Sequence, residues 1–363
     1  MATIKEIFTD FAPEYVKRFA PKIPANHLKT INAILSCRTR DKGWTVYTCK
    51  ECGKDHIVFR SCGNRHCPAC QNHKTRDWLE AQCSRQMPGH HFMVTFTVPD
   101  SIRGMIRSNQ RVSYNAMFKA SSYAVKKLSP DIKYLGGDLP GFFGVLHTWG
   151  RTLCYHPHIH YIVPGGAYSK DTGLWHPARQ DYFLPEQALA KVFKAKFLSL
   201  IKKAGLLNRI PYEARTRDWN VDCKPAGTGV ECTKYLAPYV FKVGISNTRI
   251  IKVEDRMVSF KYKKTKSNRW RTCRLDVMEF IRRFLQHVLP TGFMKVRYYG
   301  FLHPGCLVSL DQICLAIEIA LGEKQIRIKI AITRYVPQCP DCGGKLEYVC
   351  SVLPFMVGPP GPG

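Results

Sequence analysis

Two Cys-x2-Cys knuckles constrain this chain more than any other feature. Cys49-Lys50-Glu51-Cys52 is followed fourteen residues later by Cys67-Pro68-Ala69-Cys70. That separation matches the four-thiolate zinc template, with Gly53 supplying a tight turn after the first pair. The spacing predicts a small zinc-ribbon-like module with structural Zn2+. Cys49, Cys52, Cys67 and Cys70 are its simplest ligand set, and Cys62, His56 and His66 lie between the pairs, able to replace one member or to build a second site. Pairing the thiols as disulfides requires an oxidising compartment, which nothing in the sequence announces. A third knuckle, Cys339-Pro340-Asp341-Cys342, adds Cys339 and Cys342 as further zinc candidates, with Cys306, Cys314, His303 and Cys350 as available partners.

A second constraint is Tyr155-His156-Pro157-His158-Ile159-His160-Tyr161-Ile162-Val163, which reads as a buried strand. Residues i and i+2 of a strand share a face, so His158 and His160 can reach one metal ion while Ile159 packs into the core. A His-x-His pair is also compatible with histidines that are simply hydrogen-bonded in place. The metal reading gains from Tyr235 and Tyr239 in Glu231-Cys232-Thr233-Lys234-Tyr235-Leu236-Ala237-Pro238-Tyr239. Four apart on a helix, they stack on one face, although an aromatic stripe can equally pack a helix onto a sheet. A phenol with an ordinary pKa near 10 can attack a phosphodiester when its deprotonation is assisted and the phosphate is polarised. A divalent ion on two imidazoles supplies that polarisation.

The charge balance narrows the partner. With 55 Lys and Arg against 27 Asp and Glu, the formal net charge is +28 over 363 residues, which favours a polyanion, nucleic acid first. No apolar run approaches the roughly 18–20 residues that span a bilayer, and the N-terminus shows neither a hydrophobic signal region nor a myristoylation site. A cytoplasmic protein acting on nucleoid DNA, without a membrane partner, is expected. Its sixteen cysteines then read as zinc ligands and reduced thiols.

The periodicities predict an α+β fold, an antiparallel sheet flanked by helices and preceded by the zinc module. Helical residues 1–36 lead into the zinc module and a connecting helix at 37–86. A catalytic domain follows at 87–250, with strands at 90–98, 142–150 and through the histidines, and helices at 101–128 and 185–204. A basic strand-helix extension at 251–305 contains Arg256-Met257-Val258-Ser259-Phe260-Lys261-Tyr262-Lys263, whose alternation suits either a DNA-facing strand led by Lys261 and Lys263 or an ordinary surface strand. The C-terminal region, 306–363, ends in a Gly-Pro tail expected to be disordered.

In order along the chain, the zinc module, Leu146-His147-Thr148-Trp149-Gly150, His156-Pro157-His158-Ile159-His160 and Tyr235-Leu236-Ala237-Pro238-Tyr239 resemble the two-tyrosine HUH transposases of rolling-circle insertion sequences. The resemblance runs on through Glu279–Pro290 and Arg297–Phe301, roughly residues 10 to 305 in all. It implies that His158 and His160 hold Mg2+ or Mn2+. It also implies that Tyr235 and Tyr239 attack single-stranded DNA at transposon ends, each joining a 5′-phosphate and releasing a 3′-hydroxyl. Pro238 would kink the helix, making the shared face approximate and leaving Tyr235 able to act alone. A third ion ligand is expected. Glu231, one turn before Tyr235, ranks ahead of His147 and His91 on candidate neighbouring strands. Arg60, Arg65, Lys74 and Arg76 are candidate phosphate contacts near the zinc module, whose role is either recognition of the ends or purely structural. Two other classes fit the same residues: a non-catalytic zinc-dependent DNA-binding regulator, and a metal-dependent hydrolase using the histidine pair and a bound water.

Overall fold

The computed structural model describes residues 2–241, 244–264, 267, 269–322 and 337–354, and the Tyr239 side chain lies outside that set. Of the Gly-Pro tail expected to be disordered, all but Pro354 lies outside the described residues. The chain divides into two compact units that interleave along the sequence: 1–72, 241–288 and 331–363 in one, 73–240 and 289–330 in the other.

Numbered along the chain, the first unit begins with α1 (Ile4–Phe19) and α2 (Ala25–Leu35). A capping box starts α1: the Thr3 hydroxyl accepts the Glu6 N–H at 3.2 Å, and the Glu6 carboxylate accepts the Thr3 N–H at 2.7 Å. β1 (Trp44–Cys49) and β2 (Asp55–Phe59) form a hairpin whose turn carries the first knuckle, and β13 (Leu346–Val352) pairs antiparallel on the other edge of β1. Gly43 precedes this sheet at φ +73°, where a Cβ would fall 2.1 Å from the Val352 carbonyl oxygen, so only glycine lets the C-terminal strand close here. A second antiparallel sheet is built from β9 (Ile250–Glu254), β10 (Met257–Lys263) and β11 (Trp270–Asp276). The Asp276 carboxylate caps α9 (Val277–Leu285) by accepting the Met278 N–H at 2.8 Å. Phe280 then meets Phe260 of β10, and Phe284 meets Phe8 of α1, with ring centroids 6.0 and 5.1 Å apart.

The second unit is organised by an antiparallel sheet of five strands, in the order β12 (Val296–Tyr299), β4 (Phe142–Trp149), β5 (Tyr155–Pro164), β3 (His91–Thr97), β8 (Asn220–Pro225). One face is largely apolar. Phe92, Val94, Phe96, Leu146, Ile159, Tyr161 and Val163 bury against α5 (Gln110–Leu128) and α6 (Glu186–Lys203). The Tyr161 hydroxyl, carried into that core, is 2.7 Å from Ser121 Oγ, which offsets its desolvation. The continuous helix expected at 101–128 is broken at Asn109, leaving α4 (Arg103–Ser108) ahead of α5. Around the sheet lie α3 (Asn72–Ser84), the small hairpin of β6 (Gly166–Tyr168) and β7 (Trp175–Pro177), α7 (Tyr212–Thr216), α8 (Val230–Val240) and α10 (Leu310–Leu321). Ile313 and Ile317 of α10 pack with Trp175 and Phe301. The fold is thus the expected α+β arrangement, helices flanking antiparallel sheets, with a cysteine-rich module at the N-terminus. The expected strands are β3, β4, β5 and β10, and the other nine strands among the described residues are additions.

Candidate functional site

Strand alternation sends the histidines to the sheet face opposite α5 and α6. Ile159, between them, is fully buried in the core on the other side. β4 and β5 pair with His147 opposite His158, and β3 and β5 pair with Thr95 opposite His160. One ring nitrogen from each of His147, His158 and His160 lies within 4.8 Å of the other two. Three imidazoles therefore converge on the middle of the sheet.

Their hydrogen bonds set the direction of the lone pairs. His158 Nδ1 is 2.7 Å from the His156 carbonyl, which can only accept, so Nδ1 carries the proton and Nε2 keeps its lone pair. His160 Nδ1 is 2.9 Å from Thr95 Oγ1, an anchor of the kind that orients metal-binding imidazoles. Burial, reinforced by the charges of the neighbouring imidazoles, holds His147 and His158 well below the usual histidine range. Burial likewise brings His160 down to about 4, against an opposing pull from Asp222. All three are neutral donors at pH 7. The ring of His147 stacks on Trp149, with centroids 4.9 Å apart, and Lys295 Nζ sits 4.6 Å from the Trp149 centroid on the other strand edge.

The side chain that the structure groups with His158 and His160 is His147, not the Glu231 ranked ahead of it. The Glu231 side chain is 81% exposed and ion-paired with Lys234 at 2.8 Å, the helical i, i+3 geometry of a solvated face. α8 packs against β4 and carries both tyrosines, its backbone helical through Pro238. Just before its first turn, a Cβ on Gly229 would lie 2.8 Å from the His91 ring. His91 lies opposite Pro164 and shares the face of Ile162 and His160, so the tyrosine helix starts on the histidine side of the sheet. Tyr235 is 55% exposed.

The cysteines assemble differently from the expected set. Cys49 and Cys52 gather with Cys339 and Cys342, while Cys67 and Cys70 gather with Cys37 and Cys62. The physical reason is β13: pairing with β1 brings the C-terminal knuckle beside the first one. Sulfur pairs stand 3.5 Å (Cys49–Cys342), 3.7 Å (Cys52–Cys339) and 3.7 Å (Cys62–Cys70) apart. A tetrahedron of Zn–S bonds has edges of roughly 3.8 Å. The Cys52 backbone N–H draws the Cys49 thiol down to about 7, and Cys67 and Cys70 hold Cys62 far below the thiol range while Cys62 pushes both of them up, so each cluster shares its negative charge among neighbouring thiols. His56 Nε2 lies 3.2 Å from Cys339 Sγ at the edge of the first cluster. Cys37 stands outside any knuckle, and its only sequence signal was its place at the start of the cysteine-rich stretch.

Comparison with known proteins finds two matching families. The family described as "Transposase zinc-binding domain" matches residues 7–98, and that described as "Putative transposase" matches 141–308. "Putative transposase y4qJ" of Sinorhizobium fredii is 32% identical over 387 aligned positions, covering 98% of this chain and 97% of the relative. The chain belongs to the IS91 family of rolling-circle transposases. The "Transposase for insertion sequence element IS801" of Pseudomonas savastanoi pv. phaseolicola is 25% identical, covering 91% of this transposase and 85% of that one. No solved structure matches. As a transposase the chain is an enzyme that acts on DNA, and among its described residues no helix is long and apolar enough to cross a membrane. Of the candidate phosphate contacts, Arg60, Lys74, Arg76, Lys261 and Lys263 are exposed, whereas burial lowers the Arg65 pKa and keeps that side chain half-covered. Lys261 and Lys263 share one face of β10 with Ser259, and the register places Trp270 opposite Lys263, with Lys263 Nζ 5.4 Å from its ring.

Proposed function

We propose that this transposase cuts and rejoins single-stranded DNA at element ends through 5′-phosphotyrosine links made by Tyr235 and Tyr239, with His147, His158 and His160 as the donors for Mn2+ or Mg2+. The observation that carries this reading is the convergence of three neutral imidazoles on the sheet face where the tyrosine helix begins. Nitrogen donors of this kind fit a borderline cation better than a hard one, so Mn2+ should act at lower concentration than Mg2+. When bound, the ion would polarise the scissile phosphate.

The protein's own groups do the rest. A tyrosine Oη forms a bond to phosphorus as the bond from phosphorus to the 3′-oxygen breaks. The phenol gives up its proton, and the 3′-oxygen takes one to leave as a hydroxyl. One phosphoester replaces another, so an incoming 3′-hydroxyl reverses the step without an external energy source. The second tyrosine, one helical turn away, allows a second strand to be held before the first link is resolved. Each cysteine cluster holds one structural Zn2+, on Cys49, Cys52, Cys339 and Cys342 and on Cys37, Cys62, Cys67 and Cys70. Acting on nucleoid DNA, the enzyme works in the cytoplasm.

The direct test is cleavage of single-stranded and duplex oligonucleotides from the element's ends, with and without Mn2+. Single strands should be cut, and His147→Ala and His158→Ala should each lose on the order of 100-fold in rate. Wild-type rates in both variants would sink the assignment.

A further inference from the structure

The histidine face of the sheet continues beyond the metal donors into a cavity of about 310 Å3 in the same unit. Ile162 and Phe143, paired across β5 and β4, lie one step along from His160 and Val145, roughly 7 Å along the strand. Both line the cavity, together with Tyr298 of β12 and the end of α3. Its walls combine aromatic surface with amide and imidazole groups. Phe143 packs edge-on to Trp78, whose Nε1–H donates to the Tyr298 hydroxyl at 3.2 Å. The same hydroxyl hydrogen-bonds buried Gln82. Gln86 and His91, 3.3 Å apart, form another side of the wall, and Arg85 stands exposed at the rim.

We infer that this cavity takes one unstacked nucleobase of the single strand held for cleavage, from a nucleotide next to the scissile phosphate. An aromatic wall offers a stacking surface to any base, and side-chain amides can read a base edge. The rim arginine suits the adjoining phosphate. A strand lying across the three histidines would have its next nucleotides close to the cavity, since Ile162 and Phe143 line it one step along the ladder from His160. An enzyme that must recognise its own element ends needs a base reader close to the cut, and an extruded base is the geometry a pocket of this kind accepts. The inference rests on the proposed DNA-cleaving reading but is tested by binding alone.

The probe is a single-stranded oligonucleotide from each element terminus, carrying one abasic site moved a nucleotide at a time, with affinity measured with no Mn2+ or Mg2+ added, so that cleavage plays no part and the structural zinc stays in place. The wild type should lose about tenfold in affinity at one position or two adjacent ones. Val308→Trp, which fills the cavity from the α10 side, should abolish that positional penalty while leaving the other positions unchanged. Gln82→Leu should weaken it, and thermal melting would confirm that both variants fold. A flat abasic scan in the wild type, or a penalty that persists in Val308→Trp, would overturn the inference. A positional penalty that maps to the cavity in a protein that cuts no DNA would instead refute the cleavage reading and keep the pocket.

Discussion

At His158 and His160 the Nδ1 atoms are committed to the His156 carbonyl and to Thr95 Oγ1, so the proposed metal affinity should depend on a residue outside the donor set. Thr95→Val keeps the shape and removes the hydrogen bond. Its Mn2+ affinity, measured by calorimetry on the intact protein, should fall by about 10- to 100-fold. His91 gives a different residue-scale prediction. Burial depresses it from 6.5 to about 4, so the folded state binds fewer protons than the unfolded one between those values. Its stabilising contribution is complete above pH 6.5 and is lost as pH falls towards 4, about 3 kcal/mol in order of magnitude. Stability from urea melts should therefore drop with acid over that window, and His91→Gln should make the drop shallower, the remainder coming from the other buried histidines. His158 and His160 were legible because a strand's two-residue period needs no partner to declare it. His147 was harder to rank. Its membership depends on the hairpin register that sets it opposite His158, and Glu231 looked closer only because it is near Tyr235 in sequence.

Among the elements, β13 shows where reading from spacing stops. Two knuckles fourteen residues apart in sequence suggest one site, yet a strand almost three hundred residues downstream pairs with β1 and brings its own knuckle to the first. The thiolate character of the knuckles was readable, but the long-range strand pairing that regroups them was not, because β13 carries no turn or hairpin signal that names its partner. The consequence is measurable. The purified chain should hold two zinc ions, one for each of the two clusters, and Cys339→Ser should hold one. Loss of a structural zinc should also cost at least about 3 kcal/mol, seen as a lower melting temperature. Two ions retained in Cys339→Ser would refute the assignment of ligands. The helices and the central strands were readable because capping residues and apolar periods are local. The edge strands β8 and β12 were not, since such short runs take their conformation from the neighbours they pair with.

Over the whole molecule, the excess of positive charge should dominate affinity. Single-strand binding should weaken at least about tenfold between 50 and 200 mM salt, with log K linear in log salt. Replacing Lys261 and Lys263 with alanine should reduce that slope by roughly 0.7 for each phosphate no longer neutralised, and an unchanged slope would remove β10 from the DNA interface. The cleavage chemistry itself is decided elsewhere, by the fate of the tyrosines. The most direct measurement is therefore to incubate the protein with Mn2+ and a 5′-phosphate-traceable single strand, then digest it and identify any DNA-linked peptide by mass spectrometry. The account predicts a nucleotide attached through its 5′-phosphate to Tyr235 or Tyr239, with no adduct in the Tyr235→Phe, Tyr239→Phe double variant. Cleaved DNA without any protein-linked product would contradict it and identify a hydrolase that uses water in place of tyrosine.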